Sequence, residues 1–108
     1  MSGTLNLVKD DNGIVVETTV YDNGSARDLS TATGIALILK IGATSTTVSG
    51  TADPDQTTNR GKCSFTLTST HLATAGKGNW EVQITEGAAV ATYPSDSAPQ
   101  LVIREDLS

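Results

Sequence analysis

Hydrophobic and polar residues alternate along most of this chain, and Gly, Pro, Asp and Asn interrupt the alternation at short intervals. A period of two is typical of half-buried β-strands, whose successive side chains point to opposite faces of a sheet. The turn signals at 11–13 and 22–24 both contain Asn-Gly, which suits a tight turn because glycine readily adopts positive φ. The pattern predicts strands at 4–9, 14–21, 34–41, 46–52, 62–68, 78–85, 88–93 and 100–104.

The inward-facing apolar residues of these strands define a candidate core, and the loop 25–33 brings one leucine toward it. Seven or eight short strands with turns between them are most simply buried as two packed antiparallel sheets. The whole chain, 1–108, is expected to form this single domain, with a frayed tail at 105–108. The predicted core consists of Leu29, Ile35, Leu37, Leu39, Phe65, Leu67, Leu72, Trp80, Val82 and Ile84.

One segment, STHLATAG at 69–76, departs from the strand pattern directly before the only tryptophan. Ser69 or Thr70 could cap a single helical turn, and Gly76 could end it in a left-handed conformation. We therefore predict one short helical turn near 70–75, crossing between the sheets, with Leu72 closing the open end of the core. A plain loop without a helix is the alternative.

Composition and charge exclude several classes of function. The net charge of −5, with seven basic residues, does not suit nucleic-acid binding or an anionic membrane surface. The single cysteine, Cys63, cannot form an internal disulfide, so synthesis in the cytosol is expected. The sequence shows no signal-peptide pattern and no apolar run of the ~20 residues that span a bilayer.

The residue types that carry chemistry do not form a recognisable motif. His71 is the only histidine, and it is expected to be exposed or bonded to its own turn, because Ser69 is too close in sequence to complete a triad with it. Cys63 lies at an inward strand position, where cysteine packs as a small apolar residue. No catalytic residue, cofactor or metal ligand is predicted.

The remaining candidates also have structural interpretations. Paired aspartates could bind calcium, but they lack a calcium-loop pattern and are better explained as Asx turns. Trp80 and Tyr93 could stack on a sugar if they faced outward, but Trp80 shares the parity of the core residues. Tyr93 is expected at a corner with its hydroxyl bonded to backbone, and Tyr21 is expected to be similar. The aspartate pairs are Asp10 with Asp11, Asp22 with Asp28, and Asp53 with Asp55.

Four stretches of sequence, taken in order, resemble a known family. They are DLSTATGIALILKIG (28–42), GKCSFTLTSTHLATAGKGNWEVQIT (61–85), TYPSD (92–96) and LVIRE (101–105). They are similar to the N-terminal immunoglobulin-like domain of tailed-phage baseplate upper proteins and related small virion proteins. In that family an Asp-Leu-Ser/Thr loop, a Leu-x-x-Ala-Gly turn, a Glu-Val strand and an aromatic-Pro corner follow one another in this order.

The resemblance implies an immunoglobulin-like antiparallel β-sandwich of seven to eight strands. It also implies a non-enzymatic structural or adaptor protein of the virion, assembled in the host cytoplasm and located in the tail or baseplate. The expected partners are tail, baseplate or receptor-binding subunits, docked through sheet edges and loops, and a homo-oligomer is expected in the particle. The alternatives are a capsid-decorating or neck protein, and a carbohydrate-binding adhesin module.

Overall fold

The computed structural model describes residues 4–22, 24–93 and 99–105, and within these residues the protein is all-β, with no helix. No helix in this part of the chain is long and apolar enough to cross a membrane. The ten strands of the described residues are β1 Leu5–Val8, β2 Ile14–Thr19, β3 Tyr21–Asp22, β4 Ser25–Ala26, β5 Gly34–Ile41, β6 Thr44–Ala52, β7 Lys62–Leu67, β8 Gly76–Glu86, β9 Ala89–Tyr93 and β10 Gln100–Arg104.

Most of the strands belong to one mixed sheet. Seven of them follow one another in the order β1-β10-β8-β5-β6-β7-β2, β9 pairs with β8, and β3 pairs with β4 as a separate ribbon. The first strand, β1, runs parallel to the last, β10, with Leu5 opposite Leu101. The expectation of purely antiparallel pairing is therefore wrong at this position. The pairing joins segments almost the whole chain apart, and a local hydrophobic pattern does not specify such a partner.

The sheet curls because the two halves of strand β6 pair with different strands. Its first part pairs with β5, up to Ser49 opposite Ala36, and its last part pairs with β7, from Gly50 opposite Phe65. A Cβ atom at Gly50 would lie 2.3 Å from Cε1 of Phe65, so only glycine lets the aromatic ring pack over this strand. The long strand β8 is shared in the same way, between β10 and β9.

A single hydrophobic cluster fills the space that the curled sheet encloses. Residues from both ends of the strand order belong to it, Leu7 of β1 and Val16 of β2 among them. Ile35 is half-buried against this cluster and the other nine residues of the predicted core are buried within it. The buried set is Leu7, Val16, Val20, Leu29, Leu37, Leu39, Val48, Cys63, Phe65, Leu67, Leu72, Trp80, Val82, Ile84, Tyr93, Leu101 and Ile103.

The strand limits follow the sequence pattern closely in β5 and β10 and differ by one or two residues in most of the others. Part of the predicted loop 25–33 is instead strand β4, which forms a two-stranded ribbon with β3. The predicted corner at 94–96 lies outside the described residues. The predicted frayed tail lies outside them as well, apart from Glu105.

The predicted helical turn near 70–75 is absent. Thr68 O accepts hydrogen bonds from His71 N at 3.0 Å and Leu72 N at 3.3 Å, which makes one isolated turn. The chain then continues toward β8, whose first residue is Gly76 rather than a helix terminus. A first helical turn fixes several dihedral angles for one hydrogen bond, and no second turn follows here to offset that cost. Leu72 is nevertheless fully buried.

Candidate docking edge

Strands β2 and β3 form one extended segment, and Val20 joins them. The backbone N–H of Val20 donates to Gly61 O at 2.8 Å, and the carbonyl oxygen of Val20 accepts from Arg27 N at 2.8 Å. The N–H and C=O of one strand residue point to the same side in an antiparallel pair. Strands β7 and β4 therefore both lie on one side of the segment.

The other side of this segment is open. The register places Val16 opposite Phe65 and Thr18 opposite Cys63, so even-numbered residues direct their backbone groups toward β7. Odd-numbered residues consequently point their N–H and C=O groups the other way. No strand pairs with that side among the described residues. We call this side the free edge and define it by the outward groups of Val15, Glu17, Thr19 and Tyr21.

The side chains of the same four residues lie on the outer face of the segment. Val15 is 58% exposed and Tyr21 is 49% exposed, so two of the most exposed large apolar residues lie on one strand face. Glu17 lies between them, and its Oε2 is 4.0 Å from Lys62 Nζ on β7. This face has an apolar residue at each end and an acidic residue, partly balanced by a lysine, near its centre.

Two further strands of the large sheet have one described neighbour each. β1 pairs with β10 and β9 pairs with β8, and in the described part of the chain neither has a second partner. Val90 of β9 is 61% exposed. These two edges have four and five residues, and the joined β2–β3 edge is longer.

A polar cluster fixes the chain just after β4. The Arg27 guanidinium donates to the hydroxyl of Tyr93, lies 3.3 Å from Oε1 of Glu86 and has its central carbon 5.4 Å from the Tyr93 ring centre. Thr31 Oγ1 donates to the same Glu86 oxygen at 2.8 Å. The bond from Thr31, followed by that from Arg27, lowers the pKa of the Glu86 carboxyl below its usual value. The Tyr93 hydroxyl was expected to bond to backbone, but an arginine side chain is its partner.

Gln56 fixes the chain just before β7, and no motif or periodic pattern in the sequence indicates this role. Its Oε1 accepts from Leu29 N at 3.0 Å and Gly61 N at 2.9 Å. Its Nε2 donates to Asp53 O at 2.9 Å and Lys62 O at 3.2 Å. The buried amide therefore has partners for both of its ends, as buried polar groups require. It ties the loop before β7 to the loop before β5 and thereby supports the strand next to the free edge.

His71 and Cys63 lie in separate places. His71 Nδ1 accepts from Thr68 N at 3.0 Å, so the ring is bonded to its own turn. It also borders a shallow depression of about 130 Å³ beside Thr44 and Thr46. Cys63 is buried on β7, with Sγ 3.7 Å from Thr18 O, and burial raises the pKa of its thiol to about 11. A thiol with so high a pKa is a poor nucleophile at neutral pH.

Three of the aspartates bond to nearby backbone. Asp53 Oδ1 accepts from Asp55 N at 2.9 Å, and Asp55 Oδ1 accepts from Thr58 N at 3.1 Å. Asp28 Oδ1 accepts from Ser30 N at 2.9 Å. These bonds lower the pKa of Asp28 and Asp55 below the usual value, through Ser30 and Thr58 respectively. Within the described residues, no three His, Cys, Asp or Glu side chains are grouped as metal ligands would be.

The aromatic residues are arranged differently from a sugar-binding platform. Trp80 is 6% exposed and Tyr93 is 7% exposed, so both face the core. Tyr21, expected to pack at a corner, is instead half exposed on the free edge. Tyr21 and Val15 both occupy odd-numbered positions of the same extended segment. This shared parity is the signal in the sequence that could have identified the face. The chain matches no protein-family model, and no curated protein sequence matches it either.

Proposed function

We propose that this chain is a non-enzymatic structural adaptor of a tailed-phage virion, which docks to other subunits through its sheet edges. The observation that carries the proposal is the free edge formed by β2 and β3. A run of unpaired backbone groups is a template for pairing with another chain, and soluble proteins usually shorten, charge or cover such edges. Here the edge continues from Val15 to Tyr21 and has an exposed apolar side chain at each end.

An edge of this kind supports docking without a chemical site. An added strand gains affinity from main-chain hydrogen bonds and specificity from alternate side chains. Gln56 fixes the loop before β7, and the Arg27–Tyr93 cluster fixes the chain after β4. A fixed edge loses little conformational entropy when a partner strand pairs with it, and this favours its use as an assembly surface.

The finer fold that we propose is an immunoglobulin-like β-sandwich. Two features support it, namely the change of partner within β6 and the contribution of both ends of the strand order to one core. A sheet that folds over on itself buries side chains between two facing layers. In this arrangement β2 and β7 belong to one layer, and β5, β8 and β10 belong to the other.

The assignment to a virion rests on the family resemblance of the sequence. The segments that carry the resemblance become defined parts of the fold: the Asp28-Leu29 loop leads into β5, and the Glu81-Val82 strand is the centre of β8. Within the particle we place the protein in the tail or baseplate. Its partners there would be tail, baseplate or receptor-binding subunits.

Purified particles of a phage that carries this gene provide the test. Mass spectrometry of separated heads and tails, with gold-labelled antibody in electron micrographs, should find the protein in tails. Detection in heads alone would move it to the capsid, and absence from particles would contradict a virion role. Particles made with Glu17→Pro should contain less of the protein, because proline removes an outward N–H, whereas Val90→Pro acts on a different edge. Normal incorporation of Glu17→Pro would show that the free edge is not the docking surface.

A further inference from the structure

We propose that the free edge pairs with the same edge of a second copy of this chain, in antiparallel orientation, about a twofold axis that passes beside Thr18. The inference rests on the proposed function, in which the free edge is a docking surface, and it names the partner at that surface. A twofold interface uses the same patch on both subunits, so the patch must be complementary to itself. The order of residues along the edge therefore decides whether two copies can pair.

Backbone geometry leaves few possible registers. Outward N–H and C=O groups belong to Val15, Glu17, Thr19 and Tyr21, and hydrogen-bonded pairs must join these residues to one another. The paired positions can be centred on Glu17, on Thr18 or on Thr19. The register centred on Thr18 is the one that uses all four outward residues of both copies.

The side chains of the outer face also form favourable pairs in the Thr18 register. It places Val15 opposite Tyr21 of the second copy, and it does so twice because of the symmetry. Pairs of aromatic and β-branched residues are among the favourable cross-strand combinations. The same pairing covers both exposed apolar side chains of the edge, which are 58% and 49% exposed in the single chain.

The centre of the inner face is matched in the same register. Val16 and Val20, both buried in the single chain, lie opposite each other across the axis, and Thr18 lies opposite Thr18 of the second copy. Threonine pairs are also favourable across strands. A register centred on Thr19 would instead place Val16 opposite Asp22, and one centred on Glu17 would place Val16 opposite Thr18.

Glu17 selects among the registers by its charge. The Thr18 register places Glu17 opposite Thr19, whose hydroxyl can donate to the carboxylate. The register centred on Glu17 would place two carboxylates directly opposite each other, which destabilises a strand pair. Lys62, whose Nζ is 4.0 Å from the Glu17 carboxylate, offsets the diagonal approach of the two acidic residues in the Thr18 register.

Sedimentation velocity of the purified chain over a concentration series tests the association. We expect a reversible monomer–dimer equilibrium. Glu17→Pro removes an outward N–H from each copy without removing a bond to β7, and it should raise the dissociation constant by roughly 10-fold or more. A chain that stays monomeric at all concentrations, or a dimer that Glu17→Pro leaves unchanged, would overturn the inference. The virion test of the proposed function would stand independently of that result.

A matched pair of substitutions locates the interface. Val15→Asp and Val90→Asp introduce the same charge at positions of nearly equal exposure, 58% and 61%, on different edges. Val15→Asp should abolish the dimer, because it replaces two Val–Tyr contacts, and Val90→Asp should leave it intact. Thermal unfolding followed by circular dichroism establishes that both variants are folded. Loss of the dimer in Val90→Asp alone would overturn the inference.

Disulfide cross-linking tests the register. A chain with Glu17→Cys mixed with a chain with Thr19→Cys should form a cross-linked dimer under mild oxidation, because hydrogen-bonded partners have Cα atoms about 5.5 Å apart. Neither chain alone should cross-link efficiently. Efficient cross-linking of Glu17→Cys with itself would place the axis at Glu17 and overturn the proposed register. The parent chain, whose Cys63 is buried, serves as the control.

Discussion

The side-chain oxygen of Gln56 accepts a hydrogen bond of 3.0 Å from the backbone N–H of Leu29, 27 residues earlier in the chain. Leu29 is 2% exposed and Gln56 is 8% exposed, so the bond is shielded from water. The same amide also bonds to Gly61, Asp53 and Lys62. One side chain therefore satisfies four backbone groups where two loops meet.

Replacing Gln56 by methionine should destabilise the protein by about 2–4 kcal/mol. Methionine has a similar length but no amide, so Leu29 N, Gly61 N and Asp53 O lose the partner that Gln56 provides, whereas Lys62 O keeps its bond from Asp53 N. A buried group left unsatisfied costs about 1–3 kcal/mol. Water that enters at the less buried groups would reduce the total loss of stability. Urea unfolding followed by tryptophan fluorescence measures the change. Thr57→Ala, at an exposed neighbouring position, is the control, and a Gln56→Met variant as stable as this control would contradict the prediction.

Leu72→Asp should prevent folding, although Leu72 belongs to a turn and not to a strand. The leucine is fully buried, and an unpaired carboxylate at its position would be removed from water without compensation. Ala73→Asp introduces the same group one residue later, at an exposed position, and should leave the fold intact. Circular dichroism and heteronuclear NMR spectra of both variants distinguish these outcomes. If Leu72→Asp melted like Ala73→Asp, the turn would not contribute to the core.

The sequence pattern predicted the strands best where alternation was strong and the ends were marked. Strand β5 begins and ends where predicted, because Ile35, Leu37 and Leu39 recur at every second position and Gly42 follows. The short strand β4 was missed because two residues are too few to show a period. A helical turn is predicted near 70–75 because Ser69, Thr70 and Gly76 are residues typical of helix ends, but only the isolated turn that begins at Thr68 forms.

Features that depend on distant partners could not be predicted in the same way. The parallel pairing of β1 with β10 depends on where both strands lie in the completed sheet. The burial of Gln56 arises from four backbone groups that converge from different loops, whereas a glutamine in a loop normally faces water. The free edge also depends on strand order, because alternation shows which face a side chain occupies but not whether a neighbouring strand is present.

Acid should weaken the protein in part through Asp55. The backbone N–H of Thr58 holds the pKa of the Asp55 carboxyl below its ordinary value. Because the pKa in the folded state lies below that in the unfolded state, the contribution to stability is complete above the unfolded-state value of about 3.9. It is lost as the pH falls through the folded-state value.

The comparison of the parent with Asp55→Asn tests this linkage, because asparagine keeps the acceptor oxygen but carries no charge. The parent should be the more stable of the two above the unfolded-state pKa, and the difference should shrink at lower pH. Urea unfolding at pH values above and below that pKa measures the difference in stability. An NMR titration of the Asp55 carboxyl carbon gives the pKa directly. A difference that grows as the pH falls would contradict the assigned direction.

Trp80→Ala should destabilise the protein by ~3–5 kcal/mol, because the alanine leaves a large cavity in the core. Trp80 is 6% exposed, and its Nε1 has no hydrogen-bond partner among the described residues. Trp80→Phe therefore loses volume but no hydrogen bond, and it should cost much less than Trp80→Ala. Val90→Ala, at a position 61% exposed, should change stability by less than about 0.5 kcal/mol. Circular dichroism during thermal and urea unfolding measures the stability of all three variants. A Trp80→Ala variant as stable as Val90→Ala would mean that the indole faces solvent, and an exposed aromatic platform for a sugar ligand would then have to be considered again.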